Sequence, residues 1–131
     1  TEVHAALGLA NLKYFDEVLE DRKNKYFIYY NNLKSNKSIS FQELNGAGWN
    51  YSYFPIIFKS EKELLRVERL LNEQNVFPRR YFYPSLNTLT DIVEYQKTPI
   101  SEKISRRILC LPLYKNLKIE EIASISNIIN I

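Results

Sequence analysis

The sequence has no methionine, one cysteine and one histidine among its 131 residues. A single cysteine, Cys110, excludes an internal disulfide, and one cysteine with one histidine leaves no tetrahedral zinc set, so no metal site is predicted. Cys110 lies in the apolar run 108–111, which favours a small buried side chain. No apolar run approaches the roughly 20 residues of a membrane-spanning helix, and no signal peptide is evident. We therefore expect no membrane partner and a cytoplasmic location.

The excess of positive over negative side chains is also small, because the formal net charge is only +3. A nucleic-acid-binding domain usually carries a strong basic stripe, so the charge argues against a nucleic-acid partner. It is compatible with a small anionic ligand held by a few placed arginines. Tyrosine, in contrast, is abundant, with ten residues. Its ring fills a half-buried sheet surface while its hydroxyl stays polar, which favours a fold that contains a sheet.

The first 33 residues carry apolar side chains at helical spacing. The pattern predicts one helix of about 30 residues over 1–33, or two helices with a break. A helix of this length often bridges domains or lines a subunit interface. Because the chain opens inside this pattern without an initiator methionine, we expect it to be part of a longer protein. The first helix is then expected to expose the apolar face that would meet the rest of that protein.

Short strand and helix patterns alternate beyond residue 33. Strands are predicted at 38–42, 51–58, 76–83 and 108–113, and helices at 60–72, 98–107 and 119–129, with a loop at Gly46-Ala47-Gly48. Pro55 argues for an edge position or a bulge in its strand. Ser60 and Glu63 form a capping box at the start of a helix. The order predicts a single α+β domain over 1–131, with a small, largely antiparallel sheet of three or four strands packed with helices.

The segment 79–87, Arg-Arg-Tyr-Phe-Tyr-Pro-Ser-Leu-Asn, stands out as a candidate ligand site. Arginine presents a planar fork that matches phosphate and carboxylate oxygens, and the neighbouring rings could stack on a sugar or a base. Loops after strand ends are common binding sites. The alternative is a strand with a solvated arginine face and aromatic core residues.

Other chemically active side chains fit structural roles. His4 is interpreted as a surface or interface histidine, and Glu120 and Glu121 complement the dipole of the last helix. No lysine lies in an evident apolar pocket, as a Schiff-base lysine should. Tyr51 and Tyr53 could form an RNA-stacking sheet together with Tyr83, although a buried face is the simpler interpretation.

Three ordered stretches together resemble the DegT/DnrJ/EryC1/StrS family of nucleotide-sugar aminotransferases. They are residues 1–9, residues 51–56 with the capping box that follows, and residues 79–87 with 108–114 behind them. The form of 79–87 is most similar to the branch that makes amino-deoxy sugars on dTDP. The resemblance implies a type I fold dependent on pyridoxal 5'-phosphate (PLP), in which this region is the small C-terminal domain. Residues 1–33 would then link it to the PLP-binding large domain.

The same resemblance implies what the whole protein does. An amino group would move from glutamate to a keto-deoxy-sugar linked to a nucleotide, dTDP, for surface polysaccharide or amino-sugar biosynthesis, in a homodimer. The cofactor-bonding lysine and the aspartate that pairs with the pyridine nitrogen would lie in the large domain, and no position of this chain matches them. The chain alone is therefore expected to bind no PLP and to be inactive. The alternative is a free-standing α+β binding or dimerisation module.

The resemblance also assigns roles within 79–87. The predicted substrate-binding residues are Arg79, Arg80, Tyr81, Tyr83 and Asn87. The two arginines are candidates for the diphosphate or for ordering the loop, and the other three would face the sugar or the neighbouring subunit. Asn87 stands where the family often has a histidine.

Overall fold

The computed structural model describes residues 1–44 and 48–131. The predicted Gly46-Ala47-Gly48 loop lies, except for Gly48, outside the described residues. The helices and strands follow one another in the order α1 (Glu2–Leu12), α2 (Phe15–Leu33), β1 (Ile39–Phe41), β2 (Phe54–Phe58), α3 (Glu61–Glu73), α4 (Pro99–Ser105), β3 (Ile108–Leu111) and α5 (Ile119–Ile129). A 3-10 turn covers Leu86–Thr88. This arrangement confirms the predicted α+β fold.

The N-terminal helical region is interrupted between α1 and α2. Tyr14 leaves helical geometry, with φ −108° and ψ 6°, so that α2 begins anew at Phe15. Of the two predicted alternatives, two helices with a break is therefore the one observed. No residue of α1 is buried, and the side chains of Val3, Leu7, Leu9 and Leu12 are each at least 60% exposed. The expected apolar exposure of the first helix is confirmed.

The described strands form one antiparallel sheet in the order β1-β2-β3. The predicted edge position of Pro55 is wrong, because Pro55 lies in β2, the central strand. Pro55 faces Cys110, whose own N–H and C=O bond to Arg79 instead of to β2. The backbone nitrogen of Pro55 therefore points to the β1 side, beyond Phe41, where the β1 ladder has already ended. A proline costs the sheet no hydrogen bond at such a position.

One face of the sheet carries the hydrophobic core. Phe54 and Ile56 of β2 lie opposite Leu111 and Leu109 of β3, and all four are buried. Helices α2, α3 and α5 supply most of the other core side chains: Tyr26, Tyr29, Leu33, Leu64, Val67, Leu71, Ile122, Ile125 and Ile129. Complete burial of each large apolar side chain stabilises the fold by roughly 1.5–3 kcal/mol. The hydrophobic core is therefore built by the sheet together with these three helices.

The predicted strand at 76–83 is not a strand. Arg79 makes one isolated bridge beside β3, in which its N–H donates to the Cys110 carbonyl at 3.0 Å and its carbonyl accepts from the Cys110 N–H at 2.7 Å. Pro78 has no N–H to extend the ladder on one side, and the chain turns at 81–84 on the other. Pairing beside β3 therefore stops after one residue.

Other boundaries differ slightly from the predictions. The strand predicted at 51–58 starts only at Phe54, α4 ends at Ser105, and β3 ends at Leu111. Only the Ser60 half of the predicted capping box is observed. The Ser60 Oγ accepts from the Glu63 N–H at 3.2 Å, whereas Glu63 Oε2 is buried without a hydrogen-bond partner in the described chain. Within the two described stretches, no helix combines the length and the apolar character needed to cross a bilayer.

Candidate functional site

The side chain of Arg79 is exposed, although its backbone is fixed by the bridge to Cys110. Its guanidinium makes no hydrogen bond or ion pair with any residue in 1–44 or 48–131. It lines a groove of about 890 Å³ together with Tyr53, Tyr81, Tyr114 and Glu121. The groove therefore combines an unpaired planar cation with aromatic rings, the chemistry that suits a ligand with an anionic part and a ring.

Arg80, the next residue, is engaged inside the molecule. Its Nη2 donates to Glu61 Oε1 at 2.8 Å and to the Arg106 carbonyl oxygen at 3.1 Å. Its guanidinium carbon lies 3.7 Å from the centre of the Tyr83 ring, a cation–π arrangement. Only 15% of the Arg80 side chain is exposed, and its Nε is buried without a partner in the described chain. Arg80 thus connects the start of α3, the end of α4 and the turn at 81–83, which directly follows Arg80 in the chain.

An aromatic patch extends from this turn. Tyr81 packs edge-on against Tyr53 with ring centres 5.3 Å apart, and its ring is tilted against that of Phe82, with ring centres 5.4 Å apart. All of these rings, and Tyr83 beside them, are exposed. Aromatic pairs of this kind contribute about 0.5–1.5 kcal/mol beyond their buried area, so the patch keeps a defined shape while one side stays open to solvent.

Asn87 is held in a hydrogen-bond network rather than presented to the groove. Its Oδ1 accepts from Ser85 Oγ at 2.6 Å, and its Nδ2 donates to the Gln96 carbonyl at 2.7 Å and to Glu102 Oε1 at 2.8 Å. Ser85 is buried and bonds Ser101 Oγ at 2.7 Å. Both amide hydrogens of Asn87 are therefore already used, and its visible function is to close the loop 88–98.

Glu102 is the acceptor on which this loop converges. Besides Asn87, its Oε1 accepts from the Thr98 N–H at 3.1 Å and from the Tyr95 hydroxyl at 3.2 Å. The bond from Asn87, followed by the bond from Thr98, holds the pKa of the Glu102 carboxyl below its ordinary 4.5. The sequence reasoning missed Glu102, although its place in the first turn of α4 was a usable signal, since a carboxylate there can accept from the N-cap N–H.

The predicted substrate-binding residues do not converge on one point. Arg79 and Tyr81 share the large groove, Arg80 and Tyr83 pair with each other, and Asn87 lies in the loop network. Tyr81 connects two of these locations, because it also lines a smaller pocket of about 360 Å³ with Asn87. Sequence proximity therefore grouped residues whose side chains have three different surroundings.

The predicted RNA-stacking tyrosines do not share a sheet face either. Tyr51 and Tyr53 precede β2 instead of lying on it. Tyr51 is half-buried against Tyr26, with ring centres 5.3 Å apart, whereas Tyr53 is exposed. The expectation of a buried face thus holds in part for Tyr51 and is wrong for Tyr53. Tyr83 lies on Arg80.

One lysine of the described chain is buried, and it does not fit the covalent site that PLP requires. Lys25 is the buried one, and it was missed in the sequence reasoning. Its Nζ donates to Asp21 Oδ2 at 2.7 Å, to the Tyr114 carbonyl at 3.0 Å and to the Lys115 carbonyl. All three donors of its Nζ are used by oxygen atoms of this chain, whereas a Schiff-base lysine must be free to reach the cofactor. No step through PLP follows from these residues.

Comparison with known proteins gives one consistent family. The family model of the DegT/DnrJ/EryC1/StrS aminotransferase family matches residues 1–130. The dTDP-4-amino-4,6-dideoxy-D-glucose transaminase of Shigella dysenteriae is 36% identical over 123 residues, which are 89% of this chain and 34% of that protein. The enzyme of the same name from Escherichia coli is 30% identical over 137 residues, 98% of this chain and 37% of that protein. The chain thus spans about a third of the length of the curated relatives it matches.

A solved structure has the same fold. The aminotransferase TlmJ from Streptoalloteichus hindustanus superposes with a TM-score of 0.87 at 17% identity, over 96% of this chain and 34% of that one. At this identity the likeness concerns the fold alone.

Proposed function

Because the chain belongs to the DegT/DnrJ/EryC1/StrS aminotransferase family, we propose that it serves as the C-terminal domain of a PLP-dependent sugar aminotransferase. The match runs along nearly the whole chain but covers only about a third of the curated relatives. The buried Lys25 does not fit a covalent PLP site, and the proposal assigns the cofactor and the chemical step to the remaining part of the protein. PLP would supply the means of carrying an amino group between donor and acceptor.

The proposed acceptor is a keto-deoxy-sugar linked to dTDP, and the proposed donor is glutamate. Two relatives carry a dTDP-linked 4-amino-4,6-dideoxy sugar in their names, which supports this class of substrate. The product would serve surface polysaccharide or amino-sugar biosynthesis. The homodimer and the cytoplasmic location stay predictions.

One observation carries the part that this chain plays in the proposal. The guanidinium of Arg79 is exposed in the groove and has no partner in the described chain. A diphosphate offers oxygens that match its fork, and such charge-assisted bonds are about twice as strong as neutral ones. Tyr53 and Tyr81 would border the sugar or the base. Arg79 is therefore the proposed diphosphate ligand of this domain.

The experiment uses the complete reading frame that encodes this chain. The purified protein, supplied with PLP, glutamate and dTDP-4-keto-6-deoxyglucose, is expected to form 2-oxoglutarate and a dTDP-amino sugar, both detected by mass spectrometry. The 131-residue chain alone is the control and is expected to give neither product. The matched GDP-linked keto-sugar tests the choice of nucleotide. Absence of an amino sugar from every nucleotide-linked substrate would contradict the proposal.

A further inference from the structure

We infer that Arg80 is a positioning residue, which fixes the aromatic turn at 81–83 through Glu61 and makes no contact with the substrate. The inference rests on the proposed function, in which Arg79 binds the diphosphate. Adjacent arginines in one segment would ordinarily be assigned the same role. Their surroundings in the structure separate them.

The charge of Arg80 is already compensated. Glu61 Oε1 accepts from its Nη2 at 2.8 Å, and both side chains are partly withdrawn from solvent. A carboxylate at this distance opposes the attraction of a second anion, because the diphosphate would have to approach Glu61 as well. Arg79 has no such carboxylate within ion-pairing distance among the described residues. Of the two, only Arg79 offers an uncompensated charge.

The Arg80 guanidinium contacts Glu61, the Arg106 carbonyl and the Tyr83 ring, and we call this set of contacts the clamp. Glu61 is the first residue of α3, held by the Ser60 cap, and Arg106 is the C-cap residue of α4. The guanidinium bonds to both and lies 3.7 Å from the Tyr83 ring centre. The turn at 81–83 is thereby tied to two helix ends.

The clamp affects the groove that Arg79 lines, because the turn at 81–83 contributes Tyr81 to that groove. Tyr81 lies two residues before Tyr83 and lines the groove beside Arg79. If the Tyr83 ring is released from the guanidinium, the Tyr81 ring is no longer held against Tyr53. A lysine at position 80 could still pair with Glu61. It lacks the planar guanidinium, which can donate hydrogen bonds at its edge while its face lies on an aromatic ring.

The decisive variant is Glu61→Gln, because the two roles of Arg80 predict opposite effects on the KM for the dTDP-sugar in the complete enzyme. For a positioning Arg80, the loss of the charge-assisted bond loosens the turn, and KM rises about tenfold, as it does in Arg80→Gln and Arg80→Lys. For an anion-binding Arg80, the same variant frees the guanidinium and KM falls, while Arg80→Lys retains most of the binding. Glu73→Gln, which removes a carboxylate from an exposed pair at the other end of α3, is the matched control and should leave KM unchanged.

A second measurement does not depend on catalysis. In the complete protein, hydrogen exchange is expected to accelerate at the amides of 81–83 in Arg80→Gln and Glu61→Gln, but not in Arg79→Gln. Equal exchange in the wild type and in both clamp variants, or a lower KM in Glu61→Gln, would overturn the inference. A wild-type protein without aminotransferase activity would instead overturn the proposed function, and the exchange data would still decide the role of Arg80. If Arg80→Gln does not fold, Glu61→Gln and Arg80→Lys decide the question.

Discussion

At the scale of single residues, Lys25 shows how a charged side chain can stabilise a small core. It lies on α2 with most of its surface covered, and its three acceptors belong to Asp21 and to the backbone between β3 and α5. An ammonium group has three donors, and each of them finds an oxygen here. The residue thus ties α2 to a loop about ninety positions further along the chain.

Lys25→Met is expected to lower the free energy of unfolding by about 2 kcal/mol, because it leaves a partly buried carboxylate and two carbonyls without their donor. Urea unfolding followed by circular dichroism would measure the change. Lys23→Met is the control, since the Lys23 pair with Glu20 is 3.6 Å long and exposed, and its loss should cost under about 0.5 kcal/mol. Equal losses in the two variants would show that the Lys25 contacts contribute nothing specific.

At the scale of elements, the loop 88–98 owes its conformation to one helix. Glu102 in the first turn of α4 accepts from Asn87, Tyr95 and the Thr98 backbone, and Ser101 of the same turn bonds to Ser85. The loop has no helix or strand beyond the 3-10 turn at its start. Hydrogen bonds from side chains therefore hold it in place of the backbone hydrogen bonds of regular secondary structure. The position of α4 therefore sets the shape of the smaller pocket.

The loop should consequently respond to acid. The pKa of Glu102 is lower in the folded chain than its ordinary 4.5, so its contribution to stability is present above that value and is lost as the pH falls through the folded pKa. The amide proton shift of Thr98, followed by NMR between pH 7 and pH 2, should titrate with a midpoint below 4.5. Glu102→Gln is expected to abolish this titration and to leave other carboxylate titrations unchanged. A midpoint above 4.5 would contradict the assignment.

At the scale of the whole molecule, the first helix contributes nothing to the hydrophobic core. The core consists of the sheet with α2, α3 and α5, whereas α1 contributes no buried residue. The apolar side chains of α1 are exposed instead, which is typical of a surface that meets another part of a protein. Stability of the isolated chain should therefore depend on its last helix far more than on its first.

Deletion of residues 1–12 is expected to change the free energy of unfolding by less than about 0.5 kcal/mol, since no burial is lost. Ile122→Ala in α5, where Ile122 is completely buried, should cost about 2–5 kcal/mol. Chemical denaturation of both variants beside the wild type makes the comparison. A large loss from the deletion alone would mean that α1 packs on the core.

The sequence alone determined the features that depend on neighbours within a few positions. The bounds of α5 and the Ser60 cap of α3 were predicted correctly, because helical spacing and capping are set by residues three or four apart. The α+β class followed from the alternation of such patterns. The family followed from three short stretches, and the comparison confirmed it over residues 1–130.

Only the tertiary structure decided which side chains meet across long stretches of chain. The pairs Arg80–Glu61, Asn87–Glu102 and Lys25–Tyr114 are separated by 19, 15 and 89 positions, and no local pattern specifies them. The same holds for Pro55, whose tolerance in a central strand depends on which edge its nitrogen faces and on where β1 ends. These pairings depend on how the whole core packs. A buried arrangement is stable only when its polar groups find hydrogen-bond partners, and those partners come from distant parts of the chain. For that reason the sequence grouped Arg79 with Arg80, and the fold separated them.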